Sequence, residues 1–268
     1  MKKDYLIAVD LDNTLITGFD NYDKKSFAYL KELSHSNYVV IATGRPYRSS
    51  KYYYDLLELK TPIVNYNGAL IHNPYNPIFK KNMITIDRNI VIDLIKDNPE
   101  ILINVFCEIE DEIFLWKDND EIKPYLHIEG GNLATGNLSK ILKGNPNGAI
   151  VLAKEGSEEL LTKYIQDKYQ STLNIRFWKA EGMVVSEIYS PLTSKGNALA
   201  MIAKHYQIPR EKIIAIGDGH NDIEMLQMAK IGVAMGNCHP DLLKVADFTT
   251  DSVEEHGVYN FLKHFFSK

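Results

Sequence analysis

An apolar run near the start of the chain leads directly into two aspartates. Tyr5 to Val9 is followed by Asp10 and, one residue later, by Asp12. A continuous apolar run of this length predicts a parallel strand that is buried on both faces. Two carboxylates at the end of such a strand repel each other and are costly to desolvate, which favours a metal ion or a shared proton at this point. The alternative is a strand that ends in an Asx-type turn, and this stretch alone leaves both interpretations open.

Strand and helix patterns alternate on both sides of the middle of the chain. Their alternation is typical of a doubly wound parallel sheet in an α/β fold. In such a sheet the ligand lies beyond the carboxyl ends of the strands. The predicted strands lie at 5–9, 39–42, 62–65, 212–216, 231–236 and 247–249, and the predicted helices lie at 26–34, 47–57, 196–206 and 223–229.

Between these two parts, pairs of strands alternate with helices, which predicts an α+β unit with a partly antiparallel sheet. The sequence therefore predicts a core domain formed by residues 1–81 and 188–268, with residues 82–187 as an inserted domain. In this domain, strands are predicted at 84–86, 101–109, 113–116, 149–153, 174–178 and 183–188, and helices at 89–96 and 157–169.

The composition narrows the class of protein. The 268 residues carry a formal net charge of −5, which argues against a nucleic-acid partner because such proteins normally have a basic face. No apolar run approaches the ~18 residues that span a bilayer, so we expect no membrane partner. Cys107 and Cys238 lie far apart and in no metal-binding spacing. They imply neither a disulfide framework nor a zinc site, and we expect a cytoplasmic protein.

Four polar clusters fall at strand ends or loops of the predicted sheet. Each has a structural alternative: Thr43 can close a strand, Asp222 can be a first-turn carboxylate of a helix, and Lys195 can be a solvated lysine. Their shared position favours a phosphoryl-transfer site. Such a site needs a carboxylate nucleophile, oxygen ligands for Mg²⁺, and a hydroxyl and an ammonium group that hold phosphate oxygens. The clusters are Asp10 with Asp12, Thr43, Lys195, and Asp218 with Asn221 and Asp222.

These clusters resemble, in order, the four motifs of the haloacid dehalogenase-like (HAD) hydrolases. Further stretches resemble the Cof-type sugar-phosphatase-like group within that superfamily. One departure is Asn13, which stands where glycine is usual, and asparagine tolerates the left-handed backbone geometry of such a position. The motifs read Asp10-Leu11-Asp12-Asn13-Thr14-Leu15, Thr43-Gly44-Arg45, Lys195 and Gly217-Asp218-Gly219-His220-Asn221-Asp222, and the Cof-type stretches include Asn67-Gly68-Ala69 and Gly232-Val233-Ala234-Met235-Gly236-Asn237.

The interval between Arg45 and Lys195 indicates which kind of inserted domain the chain has. It is far longer than the ~30 residues of one βα unit, so the insertion lies between the second and third motifs. This position resembles that of the type II cap of the superfamily. The strand pairs with helices resemble its α/β subtype B (type IIB), and the resemblance implies that this cap domain sets the substrate specificity.

The resemblance also implies roles for the site residues. Asp10 would attack the substrate phosphorus and form an aspartyl-phosphate, while Mg²⁺ and Lys195 would hold its pKa down. Asp12 would protonate the leaving oxygen and then take a proton from the attacking water. The expected Mg²⁺ ligands are Asp10, the backbone carbonyl of Asp12, Asp218 and Asp222, and the expected phosphate or substrate contacts are Thr43, Gly44, Arg45, Asn67, Lys195 and Asn221.

The resemblance thus implies a Mg²⁺-dependent phosphatase for a small phosphorylated metabolite, such as a sugar phosphate. Two alternatives stay open. One is a phosphomutase, which shares the core and the cap type in some relatives, and the other is a catalytically silent phosphate-sensing module. Release of inorganic phosphate, as opposed to transfer to a second hydroxyl, distinguishes the phosphatase from the mutase.

Overall fold

The computed structural model describes residues 2–18, 21–178 and 180–267. The chain forms two compact units. The core unit consists of residues 1–45, 50–82 and 194–268, and the inserted unit consists of residues 46–49 and 83–193. The division of roles between a core of 1–81 with 188–268 and a cap of 82–187 stays a prediction.

The described residues form strands and α-helices that are numbered here in chain order. The strands are β1 (Leu6–Val9), β2 (Ile16–Thr17), β3 (Asn21–Tyr22), β4 (Tyr38–Ile41), β5 (Ile63–Asn65), β6 (Leu70–His72), β7 (Asn82–Met83), β8 (Leu102–Ile109), β9 (Glu112–Leu115), β10 (Asn132–Thr135), β11 (Gly148–Lys154), β12 (Asn174–Trp178), β13 (Met183–Tyr189), β14 (Ile213–Gly217), β15 (Ile231–Ala234) and β16 (Phe248–Thr249). The helices are α1 (Lys24–Leu33), α2 (Tyr47–Leu56), α3 (Arg88–Asp97), α4 (Leu138–Ile141), α5 (Glu158–Tyr169), α6 (Lys195–His205), α7 (Ile223–Met228), α8 (Pro240–Leu243) and α9 (Gly257–Ser267).

The core unit is built on a parallel sheet with the strand order β16-β15-β14-β1-β4. β1 pairs in parallel with β14 on one side and with β4 on the other. All its residues are buried, as expected for a strand that is covered on both faces. The prediction of a doubly wound parallel sheet is therefore confirmed, and the carboxyl ends of β1, β4 and β14 lie at one edge.

The strand predicted at 62–65 corresponds to β5, which has only a short contact with the parallel sheet. β5 reaches the parallel strands through one bridge between Ala42 and Val64. Along its length it pairs antiparallel with β6. Because the bridge lies at the end of β4, it still brings the loop after β5 beside the loop after β4.

The inserted unit has a sheet with the strand order β10-β9-β8-β11-β13-β12. Its neighbouring strands are antiparallel apart from β10 and β9, which are parallel. Apolar residues of α3 and α5 pack on one face of this sheet, as Val91, Leu94 and Leu161 do against Val105 and Val151. The prediction of an α+β unit with a partly antiparallel sheet is confirmed, and the strands predicted at 174–178 and 183–188 pair as β12 and β13.

The inserted unit differs from the sequence-based prediction in two places. Residues 84–86 are not a strand: the Ile86 N–H donates to the Pro146 carbonyl (2.9 Å) and the Asn147 side chain donates to the Ile84 carbonyl (3.2 Å), so this segment is bonded to a loop. Strand β10 was not predicted. Three of its four residues are exposed, and its two apolar residues are adjacent, so it lacks the apolar alternation that marks a strand.

None of the helices in the described part of the chain is long and apolar enough to cross a membrane.

Candidate active site

Asp10 and Lys195 meet at the carboxyl end of β1. Asp10 directly follows this strand, and Lys195 is the first residue of α6, whose N-cap is Ser194. The Lys195 side chain is fully buried, with its Nζ 2.6 Å from Asp10 Oδ1 and 2.6 Å from Asp222 Oδ1. This burial excludes the alternative of a solvated lysine. A buried ammonium is tolerated only with such partners, so the residues are held as a unit.

The loop after β14 is folded around the carboxylate of Asp222. Asp222 Oδ2 accepts hydrogen bonds from the N–H groups of Asp218 (3.1 Å) and Gly219 (2.9 Å). Gly217 leaves room for this arrangement, because a Cβ there would lie 2.5 Å from Asp222 Oδ2. The loop thereby presents Asp218 and Asp222 beside the Asp10–Lys195 pair.

Burial and crowding shift the pKa values of this cluster. Burial raises the pKa of Asp10 well above its ordinary value; Lys195 opposes the shift and Asp222 adds to it. Burial, together with the charge of Asp222, raises the pKa of Asp218 to about 7. Burial would lower the pKa of Lys195, but the attraction of Asp10 and Asp222 raises it, so this ammonium stays charged. The charge of Lys195 therefore lowers the pKa of Asp10, but without a metal ion it does not outweigh the effect of burial.

Asp10, Asp218 and Asp222 fit the requirements of a divalent cation. Each offers one carboxylate oxygen, and these oxygens lie within 4.8 Å of one another. Three carboxylates face the single ammonium of Lys195, so the fully ionised cluster carries excess negative charge. Hard divalent cations prefer such oxygen ligands. The cluster could therefore bind a divalent metal ion.

A second group of predicted residues lies at the ends of β4 and β5. The Asn67 N–H donates to the Thr43 carbonyl (3.1 Å), and Asn67 Oδ1 accepts a hydrogen bond from Asn221 Nδ2 (2.9 Å). Asn67 has φ of +54°, a left-handed conformation in which asparagine is enriched. Gly44 lies against it, since a Cβ on Gly44 would be 3.1 Å from Asn67 Oδ1. The structure thus brings Thr43, Gly44, Asn67 and Asn221 together.

Arg45 lies beside Asp12. Arg45 Nε is 3.0 Å from each carboxylate oxygen of Asp12, and Arg45 Nη2 is 2.5 Å from Oδ1. The sequence predicted that Arg45 contacts phosphate or substrate and assigned it no partner within the protein. The structure shows that its guanidinium group has a carboxylate partner from the first motif, and its contact with phosphate or substrate stays a prediction.

Thr14 is a member of the cluster to which the sequence analysis gave no role. Its hydroxyl donates to Asp218 Oδ1 (3.0 Å), which joins the first motif to the fourth. Asn13, at the preceding position, has φ of +56°, as expected for a residue that replaces a left-handed glycine. The only signal for Thr14 was its place inside the first motif.

The fold and this cluster define a class of protein: an α/β protein whose parallel sheet carries a buried aspartate–lysine pair and a carboxylate cluster at the ends of its strands. The family model described as haloacid dehalogenase-like hydrolase matches residues 7–262. The chain belongs to this family, and the resemblance inferred from its motifs is confirmed.

Similar proteins agree with this assignment. The 5-amino-6-(5-phospho-D-ribitylamino)uracil phosphatase YitU of Bacillus subtilis (strain 168) is 35% identical over 267 residues, which cover 99% of this chain and 98% of the relative. A haloacid dehalogenase-like hydrolase from Bacteroides thetaiotaomicron has a TM-score of 0.82 at 22% identity over 98% of this chain and 100% of its own. The HAD subclass IIB sugar phosphatase BT4131 has a TM-score of 0.80 at 21% identity over 97% and 98%, respectively. The chain is thus a hydrolase of the phosphoric monoester class.

Proposed function

We propose that this chain is a Mg²⁺-dependent phosphatase that removes phosphate from a small phosphorylated metabolite through an aspartyl-phosphate on Asp10. The observation that carries the proposal is the position of the Lys195 ammonium, 2.6 Å from both Asp10 and Asp222. Beside it, Asp218 completes an oxygen cluster that suits a divalent cation. A nucleophile, a cationic group and metal ligands are the parts that phosphoryl transfer requires.

Asp10 and Asp12 take different parts in this reaction. In the first step a carboxylate oxygen of Asp10 bonds to phosphorus, the ester P–O bond breaks, and Asp12 gives a proton to the departing oxygen. In the second step Asp12 takes a proton from water as the water oxygen bonds to phosphorus. The bond between phosphorus and Asp10 then breaks, and inorganic phosphate leaves.

Mg²⁺ would be held by Asp10, Asp218, Asp222 and the backbone carbonyl of Asp12. When bound, it neutralises negative charge on the phosphoryl oxygens. Lys195 contributes a second positive charge at the same position.

The remaining polar residues are proposed to hold the phosphoryl group. Thr43 Oγ1 accepts a hydrogen bond from the Arg45 N–H (3.1 Å), so its own proton is available for a phosphate oxygen. The Gly44 N–H and the side-chain amides of Asn67 and Asn221 supply further donors at the same strand ends.

The proposed substrates are phosphate esters of a sugar or polyol. Support comes from YitU, whose name specifies a phosphoribityl compound. The proposal retains the small-molecule partner and the cytoplasmic location expected from the sequence.

Phosphate release from a panel of esters, with and without Mg²⁺, tests the proposal. The panel contains 5-amino-6-(5-phospho-D-ribitylamino)uracil, ribitol 5-phosphate, glucose 6-phosphate and AMP. We expect Mg²⁺-dependent release from at least one sugar or polyol phosphate and none from Asp10→Asn, which removes the nucleophile. Asp120→Asn is the matched control, because Asp120 is an exposed carboxylate of the inserted unit, and it should behave as the wild type.

Three results would contradict parts of this proposal. Phosphate release by purified Asp10→Asn at the wild-type rate would remove Asp10 as the nucleophile. Transfer of phosphate to a second hydroxyl without net release would indicate a phosphomutase. No reaction with any ester, despite phosphate binding, would indicate a silent phosphate-sensing module.

A further inference from the structure

The ion pair between Asp12 and Arg45 has unequal exposure on its two sides. The side chain of Arg45 is 8% exposed, whereas that of Asp12 is 45% exposed. Arg45 contacts both carboxylate oxygens, with Nε at 3.0 Å from each. The guanidinium group is therefore enclosed by protein while the carboxylate remains accessible. A planar guanidinium that contacts both oxygens fixes the orientation of a carboxylate as well as its charge.

The main chain of Arg45 is itself held by residues at the ends of β4 and β5. Its N–H donates to Thr43 Oγ1 (3.1 Å), and its carbonyl accepts a hydrogen bond from the buried Asn65 side chain (2.9 Å). The guanidinium carbon lies 5.9 Å from the ring centroid of Tyr53, which is also buried. Both the main chain and the guanidinium group of Arg45 are thus held in place. The carboxyl ends of β4 and β5 determine where its side chain can reach.

We propose that Arg45 is a positioning residue that acts through Asp12, an inference that rests on the proposed function. Arg45 holds the Asp12 carboxylate in one orientation, so that its accessible oxygen meets the leaving oxygen of the ester. Without Arg45 the half-exposed Asp12 side chain can rotate, and fewer complexes have the geometry for proton transfer. In this role Arg45 does not contact the phosphoryl group.

The two possible roles of Arg45 differ in how they depend on the leaving group. 4-Nitrophenyl phosphate releases a stabilised phenolate that needs little help from an acid, whereas phenyl phosphate releases a more basic oxygen that benefits from protonation. In the step that releases the phenol, which kcat/KM reports, a residue that positions Asp12 affects mainly phenyl phosphate. A residue that binds the phosphoryl group affects both esters equally, and its loss raises KM.

A double-mutant cycle with Asp12→Ala separates the two roles directly. We expect Arg45→Gln to lower kcat/KM for phenyl phosphate by about 10²-fold, within the range for a disturbed acid–base group, with a smaller loss of kcat/KM for 4-nitrophenyl phosphate and little change in KM. In the Asp12→Ala background the same change should alter kcat/KM by less than about threefold, because the group through which Arg45 acts is absent.

Two further variants keep the test informative. Arg45→Lys retains the charge but loses the planar fork, and we expect a kcat/KM for phenyl phosphate between those of the wild type and Arg45→Gln. It also carries the cycle if Arg45→Gln fails to fold. Arg210→Gln is the matched control: Arg210 is an exposed arginine of the core unit whose guanidinium donates to main-chain carbonyls at the end of α7. It should leave the ratio of the two esters unchanged.

Several outcomes would overturn the inference. Equal losses of kcat/KM with both esters, a raised KM, or a loss that persists in the Asp12→Ala background would show that Arg45 acts on the phosphoryl group itself. Arg45→Lys with wild-type kcat/KM would show that the fork is not needed. If the wild type with Mg²⁺ releases phosphate neither from these esters nor from any sugar or polyol phosphate of the panel, or if Asp10→Asn keeps the wild-type rate, the proposed function fails and the inference fails with it.

Discussion

The buried Lys195 side chain determines the charge balance of the site. Its ammonium contacts two carboxylates at 2.6 Å, and no part of the side chain is exposed to solvent. Such an arrangement is costly to assemble and far more costly to break, because removal of one partner leaves uncompensated charges in the interior. The residue that is proposed to hold phosphate therefore also keeps the carboxylates together.

Replacement of Lys195 by methionine is expected to destabilise the protein as well as inactivate it. Asp10 and Asp222 lose their counter-charge, and breaking a buried ion pair of this kind costs about 3–5 kcal/mol. Urea unfolding at neutral pH measures the loss. Lys212→Met is the control, since Lys212 is 41% exposed in side chain and its ion pair with Asp4 is long at 4.0 Å. Equal free energies of unfolding for the two variants would contradict the account.

The sequence could predict the candidate site residues but not all of their contacts. The predicted elements placed Asp10 and Thr43 at strand ends and Lys195 in a loop on the same side of the sheet, where parallel sheets bind their ligands. The same reasoning predicted that Arg45 contacts phosphate or substrate. Its pairing with Asp12 depends on side-chain directions at the ends of two neighbouring strands, which neither spacing nor periodicity encodes.

At the scale of elements, the first turn of α6 has to approach the loop after β5 closely. Gly68 permits this approach in two ways. It adopts φ of +104°, which favours glycine, and it has no Cβ, which would lie 2.3 Å from the carbonyl oxygen of Ser194, the N-cap of α6. Gly68 therefore determines how near Lys195 can come to the strand ends.

We expect Gly68→Ala to lower both stability and activity. The clash is with main chain, so the start of α6 has to shift and Lys195 shifts with it. Gly156→Ala is a matched control, because Gly156 has φ of +80° with nothing within 4 Å of a Cβ. The control should lose only the roughly 1–2 kcal/mol of stability that a side chain costs at positive φ. Any further loss of stability in Gly68→Ala then measures the clash with Ser194. Thermal unfolding and phosphate release measure the two effects, and identical results for both variants would rule out the steric explanation.

The elements that the sequence predicted well are those whose apolar pattern reports burial on both faces, such as β1 and β14. The elements that it missed are set by partners distant in the chain. Residues 84–86 look like a strand, but their hydrogen bonds go to the loop at Pro146 and Asn147. β10 is mostly exposed and has no apolar alternation, and it is a strand because its backbone pairs with β9.

At the scale of the whole molecule, we expect the carboxylate cluster to make the binding of a divalent cation depend on pH. Burial and Asp222 raise the pKa of Asp218 from its ordinary value of 3.8 to about 7 in the folded chain. Between these pH values the metal-free folded chain binds a proton that the unfolded chain has released. This contribution to stability is therefore fully present below pH 3.8 and is lost as the pH rises through about 7.

Added Mg²⁺ should therefore raise the unfolding temperature more at pH 8 than at pH 6. At the higher pH the carboxylates are ionised and mutually repelling, so a cation both binds better and relieves more repulsion. Thermal unfolding at a fixed millimolar MgCl₂ concentration measures the gain at each pH. Asp218→Asn should weaken the dependence of this gain on pH, and equal gains for the wild type at both pH values would contradict the prediction.

The order in which a ribosome releases the chain gives the parallel sheet one further consequence. β1 pairs with β14, so Leu6 cannot form its strand contacts until Ile213 has been synthesised. Asp10 is likewise separated by 185 positions from Lys195, its ion-pair partner. Residues 83–193 are all released before the second half of the core sheet exists, and at ~5–20 residues per second that interval lasts several seconds. During this interval β1 lacks its partner strand β14, and Asp10 lacks the ammonium of Lys195. We therefore expect a stage of synthesis in which β1, a fully buried strand of the folded protein, still needs protection, and in which the carboxylate cluster has not yet formed.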